Sequence, residues 1–255
     1  MILSERIALV TGAATGIGRA TVLELARAGA AGVAVNYRSA RDQAESLAAE
    51  VRELGVEALC VHGDVRDDGH VRGMVDQTVE RFGRLDILVN NAGITRWVPI
   101  TDMDALTDEI WDMTLDVNVK GAYRCARAAA PHLKAAGGMI INVSSISGVI
   151  APSTMSSLAY GTAKAGLIYL TRGLAVALGP EIRVNAVAPA FTDTQWMRDH
   201  YGADYENIID RASANYPLKR VAKPEEVAGA VLGLITGGDF VTGQTLLVDG
   251  GLSLS

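Results

Sequence analysis

The chain has 255 residues, 49% hydrophobic and 20% charged, proportions of an ordinary globular protein long enough to bury a core without disulfide or metal staples. Its net charge of −6 argues against a nucleic-acid partner, which would need a basic face. Apolar stretches are broken by charge before membrane-spanning length, and the first residues run into a strand-like segment without a signal-peptide pattern. Cys60 and Cys125 have no metal-spaced partner and read as small apolar residues of a reducing compartment. His62, His70, His132 and His200 are scattered singly, so no metal site is expected. These features predict a soluble cytoplasmic protein without membrane or nucleic-acid contacts.

Short β-branched runs alternate with Ala/Leu/Glu/Arg stretches. Strands are predicted at 7–10, 33–36, 58–61, 87–89, 139–143, 183–187 and 246–248, and helices near 17–28, 40–54, 68–82, 102–136, 157–178 and 224–236. Near-continuous hydrophobicity in the strands suits a parallel sheet covered on both faces. Strict β/α alternation predicts an α/β fold, a doubly wound seven-stranded sheet with right-handed crossovers. No linker or composition shift divides residues 1–255, so one domain is expected.

After the first strand comes Thr11-Gly12-Ala13-Ala14-Thr15-Gly16-Ile17-Gly18, then a helix. Glycines at such a turn let the main chain approach a pyrophosphate, while the helix N-terminus offers free N–H groups. The second strand ends in Asn36-Tyr37-Arg38-Ser39. An acid there would favour the ribose of NAD; its absence, with a guanidinium at Arg38, favours the 2′-phosphate of NADP.

The fifth strand runs into Ser144-Ser145-Ile146-Ser147-Gly148, placing hydroxyls on the carboxyl edge where a carbonyl oxygen could be bound. In the next helix Tyr160 and Lys164 stand four residues apart, on one face. A phenol is a weak base at neutral pH, and a neighbouring ammonium would lower its pKa. An ordinary Tyr and Lys one turn apart would look the same in isolation. Residues 191–217, with Trp196, Met197, Tyr201, Tyr205 and Tyr216, break the rhythm and read as a substrate-lid insertion. The aromatics Trp97, Trp196, Tyr201 and Tyr205, with Met155, either line a pocket or pack in the core.

Taken in order, these motifs resemble the short-chain dehydrogenase/reductase family, in its 3-oxoacyl-(acyl-carrier-protein)-reductase-like branch, over essentially the whole chain. The resemblance implies a Rossmann-type fold in which Gly12, Thr15, Gly16, Ile17 and Gly18 cradle the cofactor. Asp64-Val65 matches the pair beside adenine, and Asn91-Ala92-Gly93 belongs to the motif Asn90–Gly93. Pro189, Thr192 and Thr194 fall in the loop that faces the nicotinamide. Asn118, Ser145, Tyr160 and Lys164 match the catalytic tetrad. By this likeness Lys164 binds the nicotinamide ribose and lowers the Tyr160 pKa, Ser145 polarises the substrate oxygen, and Tyr160 moves its proton. Asn118 then extends the relay through a water.

Three departures stand out. Pro-Gly of the family is here Pro189-Ala190; the Ser145–Tyr160 interval is about two residues longer, leaving Ser147 as an alternative serine; and Thr15 replaces a basic residue of many NADP users, leaving NAD open beside NADP. In the segments where carrier-protein reductases dock an acidic partner, only Lys134 is basic and Glu181 has the opposite sign. That favours a free small ketone, with a sugar or other small secondary-alcohol dehydrogenase as the alternative. A catalytically silent NADP-binding regulator has no need of the tetrad, and no Gly-x-Ser-x-Gly elbow suggests a hydrolase. Family likeness also implies a homotetramer.

Overall fold

A computed structural model describes residues 1–151 and 157–254. Seven strands form one parallel sheet: β1 (Ile7–Val10), β2 (Gly32–Tyr37), β3 (Glu57–His62), β4 (Ile87–Asn90), β5 (Met139–Val143), β6 (Arg183–Pro189) and β7 (Thr245–Val248). Their order is β3-β2-β1-β4-β5-β6-β7. Each expected strand is present, and several run a residue or two further because ladder pairing continues past the apolar run. Gly32↔Glu57 and Tyr37↔His62 are examples.

Side-chain alternation explains the apolar runs. Ala8, Val10, Val33, Val35, Ile87 and Val89 join a core with helices α1 (Gly16–Arg27), α2 (Arg41–Glu53) and α9 (Pro224–Thr236). Leu9, Ala34, Leu88 and Ile140 face the other side, against α3 (Asp68–Phe82), α5 (Ala122–Ala136) and α6 (Leu158–Leu178). Because both faces are covered, successive strand residues are all apolar. At the strand-start edge, buried Asp86 ties the sheet together. It accepts from Arg6 Nη1 and Arg84 Nη2 (both 2.6 Å) and from the Ile7 amide (2.9 Å).

Two helical expectations change. The stretch predicted at 102–136 begins as helix α4 (Asp108–Leu115), widens into a π-helical turn at Asp116–Gly121, and continues as α5. Asn118 sits in that turn, and its side-chain Nδ2 donates to the Thr114 carbonyl at 2.9 Å. The 191–217 segment is helical: α7 (Gln195–Tyr201), a 3₁₀ turn at Gly202–Asp204, and α8 (Tyr205–Asn215). Thr194 starts α7 by accepting from the Met197 amide at 3.4 Å. Among the described residues no helix is long and apolar enough to cross a membrane.

Candidate active site

The chain runs from β1 outward to β2 and β3, then returns to β4 beside β1. The crevice at that switch point lies at the carboxyl ends of the strands, where open α/β sheets bind ligands. A cavity of about 670 Å³ occupies it and reaches from Arg38 and Asp64 to the 191–217 segment.

Main chain builds the first wall. Gly12 has φ +59°, and a Cβ there would stand 3.0 Å from the Ala92 Cα. At Gly18 an added Cβ would meet Asn91 Nδ2 at 2.5 Å and the Gly12 carbonyl at 2.6 Å. Asn91 Nδ2 donates to the Thr11 and Gly12 carbonyls, both at 2.9 Å, and Thr11 Oγ1 accepts from the Asn91 and Ala92 amides, both at 3.0 Å. Gly12, Thr15, Gly16, Ile17, Ala92 and Gly93 therefore share one cavity wall, whereas Gly18 lies behind it and admits the close packing.

Asn36 holds the turn from behind, a role the sequence reading missed. Its Oδ1 accepts from the Gly12 amide at 3.0 Å while Nδ2 donates to the Val61 and Gly63 carbonyls at 3.2 and 3.1 Å. A buried Asn in a strand otherwise made of apolar residues is the signal that could have found it. Arg38 is exposed at the cavity rim, with no ion-pair partner among the described residues. Asp64 is held by Arg66 through contacts of 2.6–3.1 Å, and Arg66 followed by Arg38 keeps its carboxyl below the ordinary range. Val65, Pro189, Thr192 and Thr194 also line the cavity. The methyl of Ala190 packs with Ile146, Ala212, Tyr216 and Val221, so the Pro-Ala departure is absorbed by the lid side of the core.

Ser145, Tyr160 and Lys164 line the cavity, whereas Asn118 is buried beside Gly93 and does not line it. Ser145 hydrogen-bonds the Tyr160 phenol, which favours it over Ser147; its oxygen also accepts from the Ser147 amide at 3.2 Å. Ser157 caps α6 by accepting from the Tyr160 amide at 3.3 Å, and Ser144 Oγ donates to the Lys164 carbonyl at 2.8 Å. These two neighbouring serines also escaped the sequence reading, because hydroxyls in a serine-rich loop carry no mark of their partner. Lys164 Nζ donates to the Val143 carbonyl at 2.9 Å and lies 5.5 Å from the centre of the Tyr160 ring.

Burial pushes the Tyr160 phenol up to about 12, against the Ser145 hydrogen bond, and pushes the Lys164 ammonium down to about 8. Burial thus works against the lowering of the phenol expected from Lys164. Tyr160 stands protonated at neutral pH, suited to giving a proton. Asn118 Nδ2 donates to the Ile94 carbonyl at 2.8 Å, and its buried Oδ1 has no partner among the described residues. A Cβ on Gly93 would touch both Asn118 Oδ1 (2.9 Å) and Lys164 Nζ (3.4 Å), so the two groups face one small space.

Phe191, Trp196, Met197 and Tyr216 of the 191–217 segment, with Trp97, line the far end of the cavity. Tyr201 and Tyr205 do not. Tyr205 is buried and donates to Asp193 Oδ1 at 2.6 Å, and Tyr201 stacks behind against Phe191. Met155 lies outside the described residues, as do residues 152–156 of the lengthened stretch before Tyr160. Lys134 and Glu181 pair with each other at 2.8 Å, at the strand-start edge away from the cavity.

A family model described as enoyl-(acyl carrier protein) reductase matches residues 12–253. Among curated relatives, a cis-4-hydroxycyclohexanecarboxylate dehydrogenase of Sinomonas cyclohexanicum is 41% identical, covering 97% of this chain and 96% of its own. A 3-oxoacyl-[acyl-carrier-protein] reductase of Synechocystis sp. is 39% identical, covering 98% of both. Among solved structures, a gluconate 5-dehydrogenase from Burkholderia cenocepacia in complex with NADP and tartrate superposes with TM-score 0.88. It is 35% identical and covers 99% of this chain and 97% of its own. The chain belongs to the short-chain dehydrogenase/reductase family, 3-oxoacyl-reductase-like, and is an NAD(P)-dependent oxidoreductase acting on CH–OH/C=O groups.

Proposed function

We propose that this enzyme interconverts a free small ketone and its secondary alcohol with NADP(H), Tyr160 being the acid–base group. The observation that carries this reading is the meeting of Ser145 and Tyr160 hydroxyls in the cavity, one α-helical turn from buried Lys164. A bound nicotinamide supplies or accepts the hydride. Gly12, Thr15, Gly16, Ile17, Asn91, Ala92 and Gly93 form its phosphate and ribose wall, packed closely on Gly18; Pro189, Thr192 and Thr194 border the reactive end. Asp64 and Val65 would hold the base, and Arg38 at the rim would select the 2′-phosphate, with NAD as the weaker partner.

In the reducing direction Ser145 donates a hydrogen bond to the carbonyl oxygen, and Tyr160 gives its proton to the oxygen as negative charge develops there. Lys164 holds the cofactor ribose. It replenishes the phenol's proton through the space it shares with Asn118 Oδ1, a buried acceptor suited to holding a relay water. Substituting Tyr160→Phe removes the proton donor without changing the ring. It is expected to lower kcat by about 10²- to 10⁴-fold while NADP(H) binding, measured by titration, persists. Retained turnover would overturn the assignment.

The mutual neutralisation of Lys134 and Glu181 favours a free substrate over a carrier-bound one. Likeness to the gluconate 5-dehydrogenase supports the alternative of a sugar or other small secondary-alcohol dehydrogenase. An intact Asn118/Ser145/Tyr160/Lys164 group speaks against a silent regulator. We read residues 1–255 as one dinucleotide-binding and catalytic domain whose 191–217 segment is the substrate lid. Tyr169 and Val176, 76% and 85% exposed on α6, support a homotetramer, and the two unpaired cysteines a cytoplasmic setting.

A further inference from the structure

The two ends of the cavity differ in charge. Arg38, Asp64 and Lys164 are the charged side chains among its described lining residues. The first two stand at the ends of β2 and β3, on the cofactor side, and Lys164, donating to the Val143 carbonyl, is the group that would hold the cofactor ribose. Beyond Tyr160 the described polar lining side chains are Ser145, Ser147, Thr194 and Tyr216, the last with its oxygen already accepting from the Phe191 amide at 3.0 Å, and the walls are built by Ile94, Trp97, Ile146, Phe191, Trp196 and Met197.

Trp97 is held as a flat surface. His200 stacks on it with ring centres 4.0 Å apart and planes 13° from parallel, and Trp196 leans against it at 5.4 Å. Partial burial lowers the His200 pKa, which keeps the stacked imidazole uncharged at neutral pH. A carboxylate or phosphate carried into this end would lose water without gaining a cation. A polyol would leave hydroxyls unpaired against aliphatic and aromatic carbon. A rigid carbon ring suffers neither loss: its faces pack on the indoles, and it surrenders little internal rotation on binding.

We propose that the substrate is an uncharged, carbon-rich cyclic ketone or its secondary alcohol, seated against the Trp97–His200 stack with its oxygen at Ser145 and Tyr160. This inference rests on the assignment of Tyr160 as the acid–base group.

The test uses the full-length enzyme with NADPH, comparing methyl 4-oxocyclohexanecarboxylate, free 4-oxocyclohexanecarboxylate and an acyclic acetoacetyl thioester, with gluconate oxidation run in reverse. The neutral ester is expected to exceed the free acid in kcat/KM by about tenfold or more, and to exceed the thioester and gluconate as well. Trp97→Ala should lower the ratio of cyclic to acyclic kcat/KM by about tenfold, with Trp97→Phe restoring most of it and thermal melting confirming that both variants fold. A free acid, sugar acid or thioester used as well as the ester, or an unchanged ratio in Trp97→Ala, overturns the inference. Separately, a failure to reduce any of these ketones with NADPH or NADH overturns the acid–base reading beneath it.

Discussion

The two walls of the cavity are held by different means. On the β1–β4 side, asparagine side chains grip the main chain of the glycine turn directly. Asn91 bridges two carbonyls of the glycine turn, Asn36 grips the Gly12 amide, and the packing leaves no space for a Cβ at Gly18. On the 191–217 side, positions are set by side chains on short helices. There Asp193 takes Arg198 at 3.0 and 2.8 Å and Tyr205 at 2.6 Å, while Arg198 lies over the Tyr205 ring. Buried main-chain packing admits little displacement, whereas ion pairs near the surface are weak and adaptable. On the proposed assignment the contrast separates two properties: the stiff wall would fix cofactor geometry and the pliable one substrate choice.

The largest effect should come from forcing the stiff wall. Gly18→Ala places a methyl against Asn91 and Gly12, and it is expected to cost about 1–3 kcal/mol of stability. Displacement of the glycine turn should also weaken NADP(H) binding by about a hundredfold. Unchanged cofactor affinity by titration would break the claim that this wall is rigid.

At the rim of the same wall, Arg38→Ala removes a charge without moving the backbone. The kcat/KM for NADPH should fall by about 10- to 100-fold with NADH use nearly constant, sharpening what the exposed cation adds. Equal losses with both cofactors would remove Arg38 from the selectivity argument.

The smallest effect is expected across the cavity. Asp193→Asn keeps an acceptor for Tyr205 but loses the charge that holds Arg198, so the ketone KM should rise by roughly two- to fivefold with cofactor binding intact. A tenfold or greater loss of NADP(H) binding would show that the two walls are mechanically one.

Much of this was legible from residue order. The seven strands, the glycine turn and the shared helix face of Tyr160 and Lys164 follow from period and spacing along the local chain, whereas Asn91, Asn118 and Ser145 were singled out by the likeness to the family. The Pro189-Ala190 departure was visible too, but its consequence was not, since the added methyl meets residues 146, 212, 216 and 221 far off in the chain. Tyr205 and Trp97 are both aromatic residues in polar surroundings of sequence. One became a buried partner of Asp193 and the other a cavity wall.

Sequence alone thus determined which residue types stand at the ends of which strands, and with them the hydride-transfer chemistry, because glycine turns and a Tyr-x-x-x-Lys helix face are short-range geometry. Tertiary structure decided the directions in which burial moves the Tyr160 and Lys164 pKa values, the pairing of Lys134 with Glu181, and the aromatic lining around Trp97. Each of these depends on burial and on charges brought together from distant segments, and desolvation is a property of the folded surroundings rather than of the residue.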